Sequence, residues 1–501
     1  MKKYLWIMVA VIMICSIGCT PEPYIDGDLT PVYGLQGEGE PISTQKSNFD
    51  RAINNAIIAA VGFLIVAFMI VLAFKRDELG DMFNCTLKWV PYCFANGIIF
   101  GRLLPIRFPW SLVLCSGASQ EGHVCVISGT GAGKTSTLID TIRHFKGGTL
   151  FALDISGDIA AHGACKNKRL VAPEAMEHCP KMKRYPYNIF APIDEAAQRG
   201  ALNKYEAIQT LAFQIIPETA ASDVSIYYQQ ESRNMLTGVL TAFYDAGYDM
   251  CDIAAHVIKQ SAVDLLNEVD KFDNAEADKY LLAYADINEK TLGSIKSDMD
   301  NAIRIFASPR VASMIHRPSP GQYAVTPQEL EKVNVFLGIP KAKITVYAPV
   351  MRVITGQVLD YLATRPFAAH NVLLALDEFG VIGAIHGIDA ALAGLRKNRV
   401  RVIVLAQSKA QLAHVYGENA LVSMLANFRY KLLLNVDEIR EAEYWCKYIG
   451  TRQRRDRYTG RVTEEWRIAP ERLGRLGDTV VILHQTGYKR VRKNFYWRWW
   501  K

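Results

Sequence analysis

The stretch His123–Thr135, HVCVISGTGAGKT, constrains this chain more than any other. Its first six residues are an apolar run closed by a polar one, the pattern of a strand buried on both faces. Gly129, Gly131 and Gly133 follow, then Lys134-Thr135 and STLIDTIRHF, which has helical apolar spacing. Strand, glycine-rich turn, Lys-Thr and helix together make a phosphate cradle. The glycines let successive backbone N–H groups close on phosphate oxygens, and the helix N-terminus adds partial positive charge. Gly129, Thr130, Gly131, Ala132, Gly133, Lys134, Thr135 and Ser136 are therefore expected to line the site. Lys134 would reach the β and γ phosphates and Thr135 would ligate Mg²⁺, so ATP and Mg²⁺ are the expected cofactors. One position departs from the strict GxxxxGK[ST] pattern: Ser128 stands where its first glycine would be.

Such a cradle needs an acidic partner at the end of another buried strand. NVLLALDEFG, residues 371–380, provides one. Asp377 would hold Mg²⁺ through water, and Glu378 would polarise the attacking water near the γ phosphate. An apolar run ending in two acids is a weak signal alone and a strong one beside the cradle. The spacing from Lys134 to Asp377 is 243 residues (377 minus 134), so the core is interrupted. EAIQTLAFQII, YYQQESRNMLTGVLTAFYDAG, DIAAHVIKQ and SDMDNAIRIFA have helical spacing, and residues 193–312 read as an all-helical domain. Residues 77–192 and 313–501 are then the two parts of the nucleotide-binding domain.

The N-terminal region reads as a membrane hairpin. Tyr4–Gly18 is an uncharged run of 15 residues, short for a span and long enough for a signal-peptide core. Ala56–Phe74 has 19 uncharged residues, enough to cross a hydrocarbon core. Lys2-Lys3 precede the first run and Lys75-Arg76 follow the second. Between them, residues 20–51 carry six acids and two bases. The positive-inside rule puts both basic flanks in the cytoplasm. The expected layout is a first transmembrane helix or signal-like segment over 1–18, a periplasmic loop over 19–52 and a second transmembrane helix over 53–76. Cys19 ends either a lipoprotein-like cleavage site or an uncut span. The ten cysteines show no CxxC spacing and no dense framework, which suits buried, reduced thiols.

These residues resemble the coupling ATPases of type IV secretion and conjugation, the TraG/TraD-like and TrwB-like group. The strongest stretch is residues 373–434, with Leu376-Asp377-Glu378-Phe379, Arg396, Gln407, Gln411-Leu412 and Tyr416-Gly417 at the family's positions. FALDISGDIAA, YNIFAP and RIAPERLGRLGD match further. The resemblance implies an α/β fold with a RecA-like P-loop NTPase core interrupted by the all-helical domain, preceded by two N-terminal transmembrane helices. It implies a homo-oligomeric ring, commonly a hexamer, with ATP sites between subunits. Arg396 would be an arginine finger offered to a neighbour, and Gln407 a γ-phosphate sensor. Asp154-Ile155-Ser156-Gly157-Asp158 departs from the family's DPKGE by replacing its lysine, which puts a charge role there in doubt. Relatives often carry an acidic C-terminal extension that recruits cargo; here cargo recognition is expected elsewhere, with the helical domain one place for it.

The implied function is an inner-membrane ATPase that couples cargo to a type IV secretion channel. Two cargoes stay open: relaxase-bound single-stranded DNA, or secreted effector proteins without DNA. Net charge is only +7, yet residues 447–501 hold 15 Lys/Arg against 5 Asp/Glu. That basic segment, ending YWRWWK, reads as a DNA contact, a solvated face or a membrane-interface anchor. No LSGGQ-like signature follows the cradle, which argues against an ABC exporter, and septal DNA pumps usually have more than two spans. A non-enzymatic scaffold would require a dead cradle, whereas Lys134, Thr135, Asp377 and Glu378 are all present.

Overall fold

The computed structural model describes residues 87–103, 111–117, 122–129, 131–218, 223–319, 321–366, 369–455, 458 and 460–496. The expected segments 1–18, 19–52 and 53–76 lie outside the described residues, as do Thr130 and residues 497–501.

Fourteen strands are described, the central ones made of β-branched and aliphatic runs. They are β1 (Lys88–Pro91), β2 (Gly97–Arg102), β3 (Leu112–Gly117), β4 (His123–Ser128), β5 (Gly148–Ile155), β6 (Lys168–Val171), β7 (Asn334–Ile339), β8 (Asn371–Leu376), β9 (Val400–Ala406), β10 (Phe428–Asn435), β11 (Thr451–Arg455), β12 (Val462–Trp466), β13 (Thr479–His484) and β14 (Gly487–Arg492). Twelve form one sheet in the order β1-β3-β2-β14-β13-β10-β4-β9-β8-β5-β7-β6, and β11 and β12 pair apart as a hairpin. From β10 to β6 every pairing is parallel, and from β1 to β10 every pairing is antiparallel.

Alternation along the parallel strands feeds two cores. Cys125 and Ile127 of β4, Phe151 and Leu153 of β5, and Leu374 and Leu376 of β8 enter one. Val124 and Val126, Leu150 and Ala152, and Leu373 and Ala375 enter the other. The second core is covered by α1 (Lys134–His144), through Leu138, Ile139 and Ile142, and by α2 (Asp158–His162). Burial on both faces explains why these strands read as continuous apolar runs.

Between β6 and β7 the chain is mainly helical from residue 191 to residue 312. The main helices are α3 (Ala191–Arg199), α4 (Ala201–Ile215), α5 (Asp223–Asp245), α6 (Met250–Val257), α7 (Ala262–Asp270), α8 (Ala275–Leu281) and α9 (Glu289–Ile303). Leu236, Val239, Leu240 and Phe243 of α5 meet Ile295, Met299 and Ile303 of α9 in the first core. Asp249, Ser261, Asn274 and Asn288 each accept a backbone N–H at the start of the next helix, so the sequence marks these boundaries with capping side chains. After β7, α10 (Ile344–Thr364) crosses the first core; α11 (Ile388–Leu395), α12 (Lys409–Tyr416), α13 (Glu418–Asn427) and α14 (Ile439–Ile449) complete the core. Of the seven described cysteines, only Cys93 is exposed, and none is in a disulfide.

One buried polar contact at the start of β4 drew no attention in the sequence. His123 is 1% exposed. Its Nε2 lies 2.9 Å from the Leu392 carbonyl, and its Nδ1 accepts the Val402 N–H at 3.1 Å. Accepting at Nδ1 requires the neutral ring with its proton on Nε2. Burial pushes the imidazole down from 6.5 to about 4, with the positive charges of Arg401 and Arg396 adding to the effect. A folded pKa below the unfolded one contributes stability that is present above about 6.5 and lost as pH falls toward 4. Urea unfolding of wild type and His123→Gln should therefore differ more at pH 7 than at pH 4.5, by about 2 kcal/mol. A difference that does not change with pH would remove this role.

Candidate nucleotide-binding site

Parallel strands present their carboxyl ends along one edge of the sheet, where ligands bind in open α/β folds. β9 lies between β4 and β8, so the ends of these three strands are adjacent. The cradle follows β4, Asp377-Glu378 follow β8, and Gln407 follows β9.

The loop is fixed at its first glycine, where Gly129 N donates to the Asn435 carbonyl at 3.0 Å. Gly131 and Gly133 have φ of 76° and 92°, a left-handed backbone that L side chains adopt at a cost. Gly133 caps α1 with no side-chain hydrogen bond, so the first N–H groups of the helix are left to other acceptors. Ser136, 4% exposed, has a buried Oγ with no hydrogen-bond partner. Lys134 is 8% exposed, with Nζ 3.2 Å from Glu378 Oε1. Thr135 Oγ1 donates to Asp377 Oδ2 at 3.1 Å.

Glu378 is held in an unusual backbone conformation, φ 48°. Three contacts impose it: its N–H donates to Asp377 Oδ1 at 3.0 Å, Phe379 N donates to Leu405 O at 3.0 Å, and the Phe379 ring stacks on Tyr416 at 5.4 Å. The turn aims the Glu378 carboxylate between two donors. One oxygen faces Lys134, and the other accepts Gln407 Nε2 at 3.2 Å. Gln407 is braced in turn, its N–H donating to Gln411 Oε1 at 3.2 Å. Gln411 fits because residue 380 is glycine; a Cβ there would come within 2.7 Å of the Gln411 side chain. The Gln411-Leu412 motif thus supports the strand end that carries Gln407, a role its sequence did not reveal.

Burial raises the Asp377 carboxyl to about 6, and the adjacent Glu378 charge adds to this; the Thr135 hydroxyl and Lys134 oppose it. A hydroxyl and a carboxylate side by side, poised against a second negative charge, are the hard oxygen donors that suit Mg²⁺. With the left-handed glycines, the open helix N-terminus and the unpartnered Ser136 hydroxyl, the donor set fits a magnesium–triphosphate group.

Asp154, at the end of β5, is fully buried and accepts the N–H groups of Ile159 and Ala160 at 3.0 and 2.7 Å. Its carboxyl is raised to about 7, chiefly by burial, although both hydrogen bonds lower it. Ser156, at φ 69°, is enclosed in the same turn, its N–H on Ile339 O and its carbonyl on His178 N. The residue that replaces the family's lysine is therefore a turn residue.

Arg396 is not gathered into this cluster. It is exposed just after α11 and close enough to His123 to lower that ring's pKa. His123 begins β4 and the cradle follows its other end, about 20 Å away at strand rise. Thr130 lies outside the described residues, whereas Gly129, Gly131, Ala132, Gly133, Lys134, Thr135 and Ser136 occupy the loop and the first turn of α1.

Residues 109–467 match the family described as type IV secretory system conjugative DNA transfer. The chain belongs to that family. It is similar to the VirD4 proteins of Agrobacterium fabrum, 23% identical over 435 residues, and of Rhizobium rhizogenes, 24% over 436. Each alignment covers 79% of this chain and 60% of the relative, so the chain spans about three-fifths of their length. Its mixed α/β fold is similar to the crystallised bacterial conjugative coupling protein TrwB, with TM-score 0.62, 18% identity, and coverage of 76% of this chain and 87% of that one. TrwB in complex with ADP and Mg²⁺ matches with TM-score 0.60, 18% identity, and coverage of 74% and 85%.

The two left-handed glycines should differ in tolerance. At Gly131 a Cβ meets nothing within 4 Å, whereas at Gly133 it would overlap the Phe495 ring. Thermal unfolding should place Gly131→Ala about 1 kcal/mol below wild type, the backbone cost alone, and Gly133→Ala about 1–3 kcal/mol lower again. Equal losses at both positions would count against the packing described.

Proposed function

We propose that the chain is a P-loop ATPase, anchored in the bacterial inner membrane, that brings relaxase-bound single-stranded DNA to a type IV secretion channel and drives its transfer. The observation that carries the reading is the Glu378 carboxylate held between Lys134 and Gln407, each at 3.2 Å. That contact unites phosphate loop, acidic strand end and neighbouring strand in one cluster, the constellation that ATP hydrolysis requires.

The geometry supports the following roles. The N–H groups of residues 129–136 cradle the phosphates, and Lys134 carries positive charge to them. Thr135 and Asp377 would hold Mg²⁺, which neutralises phosphate charge when bound. Glu378 orients and deprotonates the attacking water, and Gln407, hydrogen-bonded to it, reports the state of that carboxylate to β9 and α12. TrwB crystallised in complex with a non-hydrolysable ATP analogue, and with ADP and Mg²⁺, supports the choice of ligand. The family's description supports DNA as cargo.

Arg396 acts in trans in this proposal. Its exposure, and its place at the far end of β4 from its own cradle, favour a finger that completes a neighbour's site in a ring, commonly of six subunits. Among the described residues no helix is long and apolar enough to cross a membrane. Anchoring therefore rests on Tyr4–Gly18 and Ala56–Phe74 and their flanking charges, with channel proteins as partners.

Glu378→Gln should retain ATP binding and lose about 10²–10⁴-fold in turnover. Lys134→Ala should abolish transfer in a conjugation assay that scores plasmid DNA and a candidate effector protein separately. Transfer of both cargoes by Lys134→Ala would refute the motor, and transfer of effector alone by wild type would replace DNA with protein as the cargo.

A further inference from the structure

The segment after β14 returns to the phosphate loop. Lys493 N donates to the Asp478 carbonyl at 2.8 Å, and Lys493 and Asn494 are buried. The Asn494 amide donates to the Asp140 carboxylate on α1, the helix that begins at the cradle. Tyr92, from the turn after β1, donates to the other Asp140 oxygen at 2.7 Å. Tyr496 packs on Arg143, 4.9 Å from its ring, and on His162, 5.0 Å ring to ring. Phe495 stands between these two anchors, and its ring lies against Gly133 where a side chain would be. It is 7% exposed.

Sheet order decides which part of a nucleotide this ring meets. Glu378 and Gln407 stand at the ends of β8 and β9, on one side of β4, and they mark the γ-phosphate end. The segment comes from β14, on the other side of β4 beyond β10 and β13. A linear triphosphate with its last phosphate toward β8 and β9 directs its α phosphate and nucleoside toward that other side. There a firmly mounted apolar ring, only 7% exposed, would present its remaining open edge to a flat heterocycle, not to an anion.

We propose that Phe495, held by Asn494–Asp140 and by Tyr496, is the wall against which the nucleoside of the bound nucleotide packs. It sets affinity for a nucleoside triphosphate over the bare triphosphate chain. The proposal rests on the nucleotide reading above and adds a residue near the end of the sequence to it.

The test uses the purified full-length chain and two probes, ATP and inorganic triphosphate, each with Mg²⁺ and followed by calorimetric titration. Phe495→Ala should weaken ATP binding about tenfold, as loss of one aromatic–base contact does. Its affinity for inorganic triphosphate should stay within about twofold. Phe495→Trp should restore ATP affinity, and its indole fluorescence should change with ATP and not with inorganic triphosphate. Equal weakening of both probes would make Phe495 a prop for the loop and overturn the proposal. Tighter ATP binding in Phe495→Ala would make the ring an obstruction and overturn it equally. If wild type binds neither probe, the nucleotide reading itself fails, an outcome distinct from either of these.

Discussion

The placement of β9 between β4 and β8 is the constraint on which the rest depends. Parallel pairing on both sides of β9 puts three carboxyl ends side by side. Without it, Lys134 and Glu378, 244 residues apart, would have no reason to meet. Such pairing closes a long loop, and its entropic cost grows only slowly with loop length. The long helical insert between β6 and β7 is therefore tolerated, because it leaves the edge of the sheet that carries the chemistry unchanged.

Charge arrangement at that edge follows from burial. Asp154 and Asp377 sit at the ends of neighbouring strands β5 and β8, both raised chiefly by desolvation. Asp154 is absorbed by two backbone N–H groups and fixes a turn. Asp377 has only one backbone donor, from Glu378, and otherwise faces a hydroxyl and the Lys134 charge, so it retains capacity for a cation. Two similar acids on adjacent strands thus differ in what they can do because their local donors differ. The strained backbone at Glu378 serves the same edge, turning a strand-end acid sideways toward β9.

Much of this was legible along the chain. The cradle announced itself through glycine spacing, and the burial of β4 and β8 through continuous apolar runs. The helix starts at Ala262, Ala275 and Glu289 carry a local signal too, the capping side chains of Ser261, Asn274 and Asn288, but only the structure shows each of them accepting a backbone N–H. The contact of Gln407 with Glu378 was not legible, since it depends on strand order, and a sequence does not print strand order. Nor was the brace from Gln411, which exists because residue 380 lacks a side chain at a point of close approach. His123 read as an ordinary strand residue, because its two partners, Leu392 and Val402, come from elements more than 260 residues away.

The sequence by itself determined the chemistry that is present: a phosphate loop, a Thr–Asp oxygen pair, an adjacent glutamate and a distant arginine. Local rules of spacing and backbone freedom suffice for these. Only the tertiary structure decided how they are shared out. It gathered Lys134, Thr135, Asp377, Glu378 and Gln407 at one end of the sheet and left Arg396 near the start of β4. It also brought Phe495 back over Gly133. Those are consequences of strand order and chain return, set by which apolar faces pack together, and no local pattern encodes them.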